Sequence, residues 1–409
     1  MPNAAPARST TKSAANSRAA SARNAAGAPR PSGAANSTPS KNAKASSALN
    51  IDLLRRLCET PGVPGREERV RALLQQEIRG LFDTTSTDAL GNLICTRAPR
   101  ASRTKGGAQR TAAQRAGKPT RVLLLCHMDQ IGFYVRNVDA NGFIRVANAG
   151  GFDTRNLFSR RMTLVTDSGD IDCVMNPGGR PIHIATEADK TKIPDVKELL
   201  VDTGLPAAEV KRRVKIGDYC VYADPFIEIG EKVVSPAMDN RVACWLGVEA
   251  IKKLEQRATP HECEIVVVFT TQEEVGLRGA KTSAHSVDCD IGIGIDVTLS
   301  CDTPGVPEDE KVTQQGKGFG LHVMDSSFIA DYRLVNDVEA CAKKNRIPYQ
   351  RTILLRGGQD GAAAQQSGKG ARAVGIVVGT RYIHTTTEMV HKTDLGAARD
   401  ILAAWIPTL

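Results

Sequence analysis

The chain has 409 residues, which is enough for two or three domains and a large hydrophobic core. Its net charge of +9 arises from two stretches without acidic residues: residues 1–47 carry seven Lys/Arg and residues 98–120 carry six. The remainder holds 41 basic against 45 acidic residues, and neither basic stretch contains an aromatic residue. A specific nucleic-acid-binding function is therefore not indicated.

Ten cysteines are scattered along the chain without a C-x-x-C pair, and several lie inside apolar runs. This distribution is typical of free thiols in a reducing compartment. No apolar run approaches the roughly 18 residues of a membrane span, and the N-terminus lacks the apolar segment of a secretory signal. We therefore expect a cytoplasmic protein. Residues 1–47 are predicted to be a disordered tail, although their composition also fits an organellar transit peptide.

Ordered structure is predicted to begin near Leu49. Apolar residues at helical spacing predict one helix before and one after the breaker segment Pro61–Gly65. Residues 88–94 then indicate a turn that leads into a short strand. After the basic insert 98–120, which we expect to be flexible, residues 121–126 form a continuous apolar run of the kind found in buried parallel strands.

Residues 132–228 differ in character, because short strand-like pieces alternate there with Gly, Asp and Pro turns. This pattern predicts a small β-rich domain inserted into a larger catalytic domain that comprises residues 48–131 and 229–409. In the second part of that domain, apolar patterns predict helices and strands in alternation. The predicted helices are 240–253, 331–344 and 394–405, and the predicted strands are 264–271, 291–295 and 373–378. The rhythm favours an α/β fold with a mixed, mostly parallel central sheet covered by helices on both faces.

Two adjacent carboxylates, Glu273 and Glu274, directly follow one of these apolar strands. Burying them without partners would cost several kcal/mol each, so a purely structural role at the end of a buried strand is not expected. A metal site does have a use for both, one as a ligand and the other as a general base on a metal-bound water. The pair therefore indicates a metal-dependent hydrolase.

Further residues of metal-ligand type lie at or just beyond other predicted strand ends, where open α/β sheets place their ligand crevices. His127 follows the strand at 121–126, Asp296 closes the strand at 291–295, and His384 comes after the strand at 373–378, while Asp239 opens a helix. Alone, Asp239 could cap its helix and Asp296 could be a turn residue. The interpretation depends on all of them meeting at one edge of the sheet.

Two imidazoles and three carboxylates suit two divalent ions with one carboxylate bridging them. Such ligands favour zinc, with cobalt or manganese as alternatives. Asp129, two residues after His127, is placed to fix the tautomer of that imidazole.

Several segments together resemble the glutamyl aminopeptidase and tetrahedral aminopeptidase family of cocatalytic metallopeptidases, some of whose members carry the label endoglucanase. The resemblance extends from about residue 50 to the C-terminus. The matching segments are Glu59–Gly65, Leu90–Ile94, His127–Phe133, Gly150–Asp153, Met238–Cys244, Thr271–Gly279, Ile295–Thr298, Gly357–Asp360 and Thr380–His384. Gln130, Gln359, Gly361 and Thr385 depart from the pattern usual in the family, and none of these four is a ligand position.

The resemblance implies an aminopeptidase that removes N-terminal residues from peptides. It implies His127 and Asp296 as ligands of one metal, Glu274 and His384 as ligands of the other, and Asp239 as the bridge. In addition, Glu273 corresponds to the general base on a metal-bridging water, and Asp129 to the residue that supports His127. The β-rich insert corresponds to a PDZ-like dimerisation domain, whose dimers assemble into a dodecamer with an internal chamber.

Three other functions remain open at this point. A metal-dependent carboxypeptidase or deacylase uses a similar order of ligands, but in that group the extra domain enters after the Glu-Glu pair rather than between His127 and Asp239. A glycosidase needs two carboxyl groups flanking a sugar, which does not explain His127 and His384. A binding protein with a basic tail would explain none of the strand-end residues.

Overall fold

We analysed a computed structural model, which describes residues 48–101 and 118–409. The predicted tail at 1–47 lies outside the described residues, as does most of the predicted basic insert. Within the described part of the chain, no helix is long and apolar enough to cross a membrane. The described residues from Leu49 to Leu409 form one compact unit.

Strands and helices are numbered here in chain order. The strands are β1 Thr84–Thr87, β2 Leu93–Arg97, β3 Arg121–His127, β4 Gly132–Val138, β5 Ile144–Ala149, β6 Arg160–Thr166, β7 Gly169–Pro177, β8 Leu199–Asp202, β9 Tyr219–Tyr222, β10 Ile227–Ile229, β11 Lys232–Val234, β12 Glu264–Thr270, β13 Ile291–Leu299, β14 Phe319–Met324, β15 Tyr349–Ile353, β16 Arg372–Arg381 and β17 Met389–His391. The α-helices are α1 Ile51–Glu59, α2 Glu68–Glu77, α3 Glu187–Thr191, α4 Ala207–Arg213, α5 Met238–Gln256, α6 Arg278–Val287, α7 Tyr332–Asn345, α8 Gly361–Gln366 and α9 Lys392–Trp405.

The central sheet has the strand order β1-β2-β12-β3-β13-β16-β17-β11-β10, and β14 pairs with β16 while β15 pairs with β14. Its four middle strands, β12, β3, β13 and β16, are parallel to one another. The outer strands add antiparallel pairs on both sides. This arrangement confirms the predicted mixed sheet with a parallel centre.

Both faces of the sheet are covered, as predicted. Along β3, Val122 and Leu124 belong to a buried cluster with residues of α1, α5 and α9, whereas Leu123 and Leu125 belong to a second cluster with residues of α6 and α8. A strand buried on both faces reads as a continuous apolar run, because no position along it faces water. Strand β3 is covered by helices on both faces, which explains the continuous apolar run at 121–126.

The strands between residues 132 and 222 form a separate closed antiparallel barrel with the order β4-β5-β8-β7-β6-β9. The barrel has its own buried cluster, which includes Phe133, Leu164 and Met175. Closure pairs the strands around the barrel and so removes exposed sheet edges. The structure thus confirms a small β-rich unit inserted into the α/β fold, whereas the exact domain boundaries stay predictions.

Strand β13 differs from the prediction, because it continues through Leu299 rather than ending at Ile295. It remains paired with β16 as far as Leu299, but its pairing with β3 stops at Gly294. Asp296 therefore lies within a strand, beyond the point where β3 and β13 separate. A carboxylate is unusual inside a buried strand, but Asp296 lies where β13 borders the cavity.

Arg241 on α5 is completely buried and connects this helix to the loop after α1. Its guanidinium donates to the backbone oxygens of Leu57, Thr60 and Gly62 at 2.6, 2.8 and 3.3 Å, and to Oε1 of Gln130 at 3.0 Å. A buried guanidinium is tolerable only with such partners. Arg241 thereby fixes the position of the start of α5, which carries Asp239.

We expect Arg241→Met to lower the free energy of unfolding by about 3 kcal/mol, because four acceptors would each lose a hydrogen bond from the guanidinium, and three of these bonds are buried. Chemical denaturation monitored by circular dichroism measures the change. The control is Arg79→Met at an exposed position, for which we expect a change within about 0.5 kcal/mol. Equal stability of the two variants would contradict this role of Arg241.

Candidate active site

The carboxyl ends of the central parallel strands open into a cavity of about 610 Å³. Strands β3 and β12 end side by side, with His127 opposite Thr270, while β13 continues past them. The gap beyond the end of β3 is the kind of crevice in which open α/β sheets bind ligands. The cavity is lined by six of the seven residues singled out from the sequence, namely His127, Asp239, Glu273, Glu274, Asp296 and His384.

Five of these side chains form two groups that share Asp239. In the first group, ligand atoms of His127, Asp239 and Asp296 lie within 4.8 Å of one another, and the second group joins Asp239 with Glu274 and His384 in the same way. Nε2 of His127 lies 3.3 Å from Oδ1 of Asp239, whereas Nε2 of His384 lies 3.4 Å from Oδ2. Each carboxylate oxygen of Asp239 therefore faces a different imidazole.

Asp129 is the seventh residue, and it lies behind the groups that line the cavity. Its Oδ1 accepts a hydrogen bond from the backbone N–H of Glu273 at 3.0 Å, and its Oδ2 accepts one from Glu274 at 3.1 Å. Nδ1 of His127 lies 3.1 Å from the backbone oxygen of Asp129 and 3.6 Å from Oδ1. Asp129 thus contacts both His127 and the Glu pair, and the His127 ring can direct its Nε2 lone pair at the cavity.

Several non-glycine residues at the cavity or close to its ligands have positive φ angles, among them Ala237 at 65°, Gln272 at 56°, Leu277 at 57° and His384 at 61°. Such angles are uncommon for residues with a Cβ and cluster at functional sites. Ala237 lies two residues before Asp239, Gln272 lies directly before Glu273, Leu277 lies three residues after Glu274, and His384 is itself a candidate ligand. The local backbone is thus bent at the points that direct these side chains into the cavity.

Electrostatics explains why this cluster needs cations. Burial raises the pKa of Glu274 to about 8, with the Asp239 charge adding to the effect, and burial also raises the pKa of Glu273 and Asp296 well above their ordinary values. Burial disfavours the protonated form of the His127 imidazole and lowers its pKa. The negative charge of Glu273 and the interactions with Asp129 and Asp239 outweigh burial and raise the pKa of His127 well above the usual range. Glu273, Glu274 and Asp296 are therefore destabilised as anions by their surroundings. Burial also disfavours the Asp239 anion, but hydrogen bonds with His127 and His384 outweigh it and lower the pKa of Asp239.

The donor set fits divalent metal ions. Within residues 48–101 and 118–409, Oε1 of Glu274 is buried and accepts no hydrogen bond, although its residue belongs to the second group. A buried oxygen without a partner costs free energy, which a bound cation would remove. Imidazole nitrogens with carboxylate oxygens, and no thiolate, are a ligand set suited to zinc or a similar metal.

Two buried residues behind the cavity were not indicated by the sequence. Glu388 accepts hydrogen bonds from the backbone N–H of His384 at 2.7 Å and from that of Asp239 at 3.0 Å, one on each carboxylate oxygen. Nδ2 of Asn240 donates to Oδ1 of Asp296 at 2.8 Å. Glu388 follows His384 by four residues in a threonine-rich turn, so its only signal in the sequence is an isolated acid near a candidate ligand.

The sequence model of the M42 glutamyl aminopeptidase family matches residues 107–401. The chain belongs to this family. The match confirms the resemblance found in the sequence and identifies the protein as a peptidase of the aminopeptidase type.

Relatives of the M42 protein agree with this assignment over nearly their whole length. A lysyl aminopeptidase of Pyrococcus furiosus is 28% identical over 84% of this chain and 93% of its own length. An aminopeptidase structure from Desulfurococcus kamchatkensis has a TM-score of 0.79 and 30% identity, covering 88% of this chain and 94% of that one. The TET1 peptidase of Pyrococcus horikoshii, which assembles into a tetrahedron or a large octahedral shell, has a TM-score of 0.75 and 28% identity, covering 88% and 99%.

Replacement of Glu388 by Gln tests whether this carboxylate holds the candidate ligands in place. An amide can accept only one of the two backbone N–H groups and presents a donor to the other, so we expect divalent-metal affinity to fall about 10- to 100-fold. Competition with a chromogenic chelator measures the affinity. The control is Glu262→Gln at an exposed position, which should bind metal as the wild type does. Unchanged affinity in Glu388→Gln would refute the positioning role.

Proposed function

We propose that this M42 protein is a dinuclear-metal aminopeptidase that releases N-terminal residues from peptides. The observation that carries the proposal is the position of Asp239, whose two carboxylate oxygens face two different imidazoles at 3.3 and 3.4 Å. A carboxylate placed in this way suits a bridge between two ions. It has no comparable explanation as part of a single-metal site.

In the proposed enzyme, His127 and Asp296 would hold one ion, Glu274 and His384 would hold the other, and Asp239 would contribute to both sites. When bound, two divalent ions supply Lewis-acid polarisation of the scissile carbonyl and lower the pKa of the attacking water. Zinc is the ion that this ligand set favours, and cobalt and manganese are alternatives.

Glu273 is proposed as the general base. Its side chain lines the cavity with 12% of its area exposed, and Oε2 lies 3.8 Å from Nε2 of His127. It belongs to neither candidate metal group, so its carboxylate is available for proton transfer. Glu273 accepts a proton from the attacking water and delivers it to the departing amine nitrogen. Asp129 positions Glu273 through the backbone hydrogen bond described above.

We further propose that the barrel mediates dimerisation and that dimers assemble into a dodecamer in the cytoplasm. One relative forms a tetrahedron or an octahedral shell, and the structure of a related peptidase contains a dodecamer. The segment between β7 and β8 of the barrel also exposes three isoleucines, Ile182, Ile184 and Ile193, by 64%, 68% and 58%. Exposed apolar groups of this size are typical of protein–protein contacts.

The alternatives from the sequence are less well supported. The family match and the aminopeptidase relatives give no support to a glycoside hydrolase. For a carboxypeptidase or deacylase, the barrel would follow the Glu-Glu pair, whereas its strands all precede Asp239. Hydrolysis of peptides with blocked N-termini would favour that alternative over an aminopeptidase.

Glu273→Gln should reduce kcat on aminoacyl-anilides by about 100- to 10,000-fold, because the amide cannot accept the proton of the attacking water. The metal content of the variant, measured by elemental analysis, should equal that of the wild type. The exposed-site variant Glu262→Gln serves as the matched control and should retain full activity. Wild-type turnover by metal-loaded Glu273→Gln would show that the general base is another group.

Removal of metal by a chelator should abolish aminoacyl-anilide hydrolysis, and addition of zinc, cobalt or manganese should restore it. Because the bound ions offset the repulsion among the buried carboxylates, the chelated protein should also unfold at a lower temperature than the metal-loaded protein. Activity assays and calorimetry measure the two effects. Full activity after verified metal removal would contradict the proposed mechanism.

A further inference from the structure

Part of the described cavity wall carries none of the candidate metal ligands. Five of the described lining residues come from the two segments that follow β14 and β15, and these are Ser327, Leu354, Arg356, Gly357 and Gly358. The candidate metal groups among the described residues include none of these five. We call this part of the lining the β14–β15 wall. Because the candidate ligands and the proposed general base come from other segments, the β14–β15 wall is available to contact the substrate.

The two segments of the β14–β15 wall contact each other closely. The hydroxyl of Ser326 donates a hydrogen bond to the backbone oxygen of Gly357. Gly358 packs so tightly against the first segment that a Cβ at this position would lie 2.8 Å from Oγ of Ser327. A displacement of one segment would therefore also displace the other.

A buried pair next to this wall consists of His322 on β14 and Asp325 directly after that strand. Nε2 of His322 lies 3.1 Å from Oδ2 of Asp325, and Nδ1 lies 3.0 Å from Oγ1 of Thr352 on β15. Oδ1 of Asp325 accepts hydrogen bonds from the backbone N–H and the hydroxyl of Ser327, at 2.7 and 2.9 Å. The pair thus connects both strands to the loop that bears Ser327.

One assignment of protons satisfies all these contacts. The Asp325 carboxylate accepts from Nε2–H of His322, which leaves Nδ1 to accept the hydroxyl proton of Thr352. Burial raises the pKa of Asp325, but hydrogen bonds from His322 and Ser327 outweigh burial and lower this pKa. The ring of Phe328 lies nearly parallel to the imidazole with centroids 6.2 Å apart, so His322 is also held from one face.

Stability alone does not explain a buried polar pair of this kind. Apolar residues of similar volume often stabilise a fold as well as a buried charged pair does, because loss of hydration offsets the attraction between the partners. The pair does provide direction, since its hydrogen bonds set the positions of Thr352 and Ser327 relative to each other. Neither His322 nor Asp325 lines the cavity, so any effect on the substrate passes through the β14–β15 wall.

We infer that His322 and Asp325 are positioning residues that hold the β14–β15 wall in the conformation that binds the substrate. This inference rests on the proposed aminopeptidase function and adds two residues outside the cavity to it. It requires a separation of effects. Loss of the pair should weaken substrate binding, while metal binding and proton transfer by Glu273 should remain as in the wild type.

Asp325→Ala removes the acceptor of both His322 and Ser327. With the metal-loaded enzyme and an aminoacyl-anilide, we expect KM to rise about tenfold while kcat changes by less than about twofold. Metal affinity, measured by competition with a chelator, should equal that of the wild type. The matched control is Asp309→Ala at an exposed site, which should leave KM unchanged.

Asp325→Asn is the conservative variant. Its amide oxygen can accept from Ser327 while its NH₂ group donates to Nε2 of His322, because the imidazole has a second tautomer that donates from Nδ1 to Thr352. We therefore expect a KM within about twofold of the wild type.

Thr352→Val keeps a β-branched side chain in β15 and removes only the hydroxyl bound to His322, so this variant should fold. We expect its KM to rise about three- to fivefold with kcat and metal affinity unchanged. Thr87→Val, at an exposed position of β1, is the matched control and should behave as the wild type. If Asp325→Ala does not fold, the KM of Thr352→Val decides alone.

Two outcomes would overturn the inference. The first is an unchanged KM in Asp325→Ala and Thr352→Val. The second is a joint loss of kcat and metal affinity in Asp325→Ala, which would indicate a general structural role. In both cases the wild type still hydrolyses the anilides, so the aminopeptidase function would stand. Absence of hydrolysis by the metal-loaded wild type would instead refute the proposed function and, with it, the inference.

Discussion

The candidate active site depends on Asp239, which lies between two histidines that come from distant parts of the chain. His127 ends strand β3, and His384 follows strand β16, so only the folded sheet brings them to the same carboxylate. Four carboxylates in one buried cavity repel one another and lose hydration, which no fold tolerates without compensation. The need for cations among these groups is the physical constraint from which the proposed chemistry follows.

The surrounding fold holds this unfavourable cluster in place. Buried Arg241 connects the start of α5, which carries Asp239, to the end of α1 and the loop after it, while Glu388 and Asp129 accept hydrogen bonds from the backbone of the ligand-bearing segments. The hydrogen bonds to Glu388 and Asp129 come from backbone N–H groups, so they fix the direction of the chain as well as the side chains. These contacts pre-organise the backbone of the candidate site, as the proposed catalysis requires.

Much of this architecture could be predicted from the sequence. The parallel strands β3 and β12 are buried on both faces, and their continuous apolar runs mark them clearly. Residues just after such strands meet at one edge, which is why His127 and the Glu pair could be placed together. Glu388 could not be found in this way, because its role is to bind backbone N–H groups whose positions depend on turns at Ala237 and His384. The order of strands in the barrel was equally inaccessible, since short alternating strands do not specify their partners.

Anomalous diffraction from crystals of the metal-loaded protein tests the central claim most directly. Data collected at the absorption edge of the bound metal should show two peaks per chain. One peak should lie among His127, Asp239 and Asp296, and the other among Asp239, Glu274 and His384. A single peak that excludes one of the two histidines, or peaks only outside this cavity, would contradict the bridging role of Asp239.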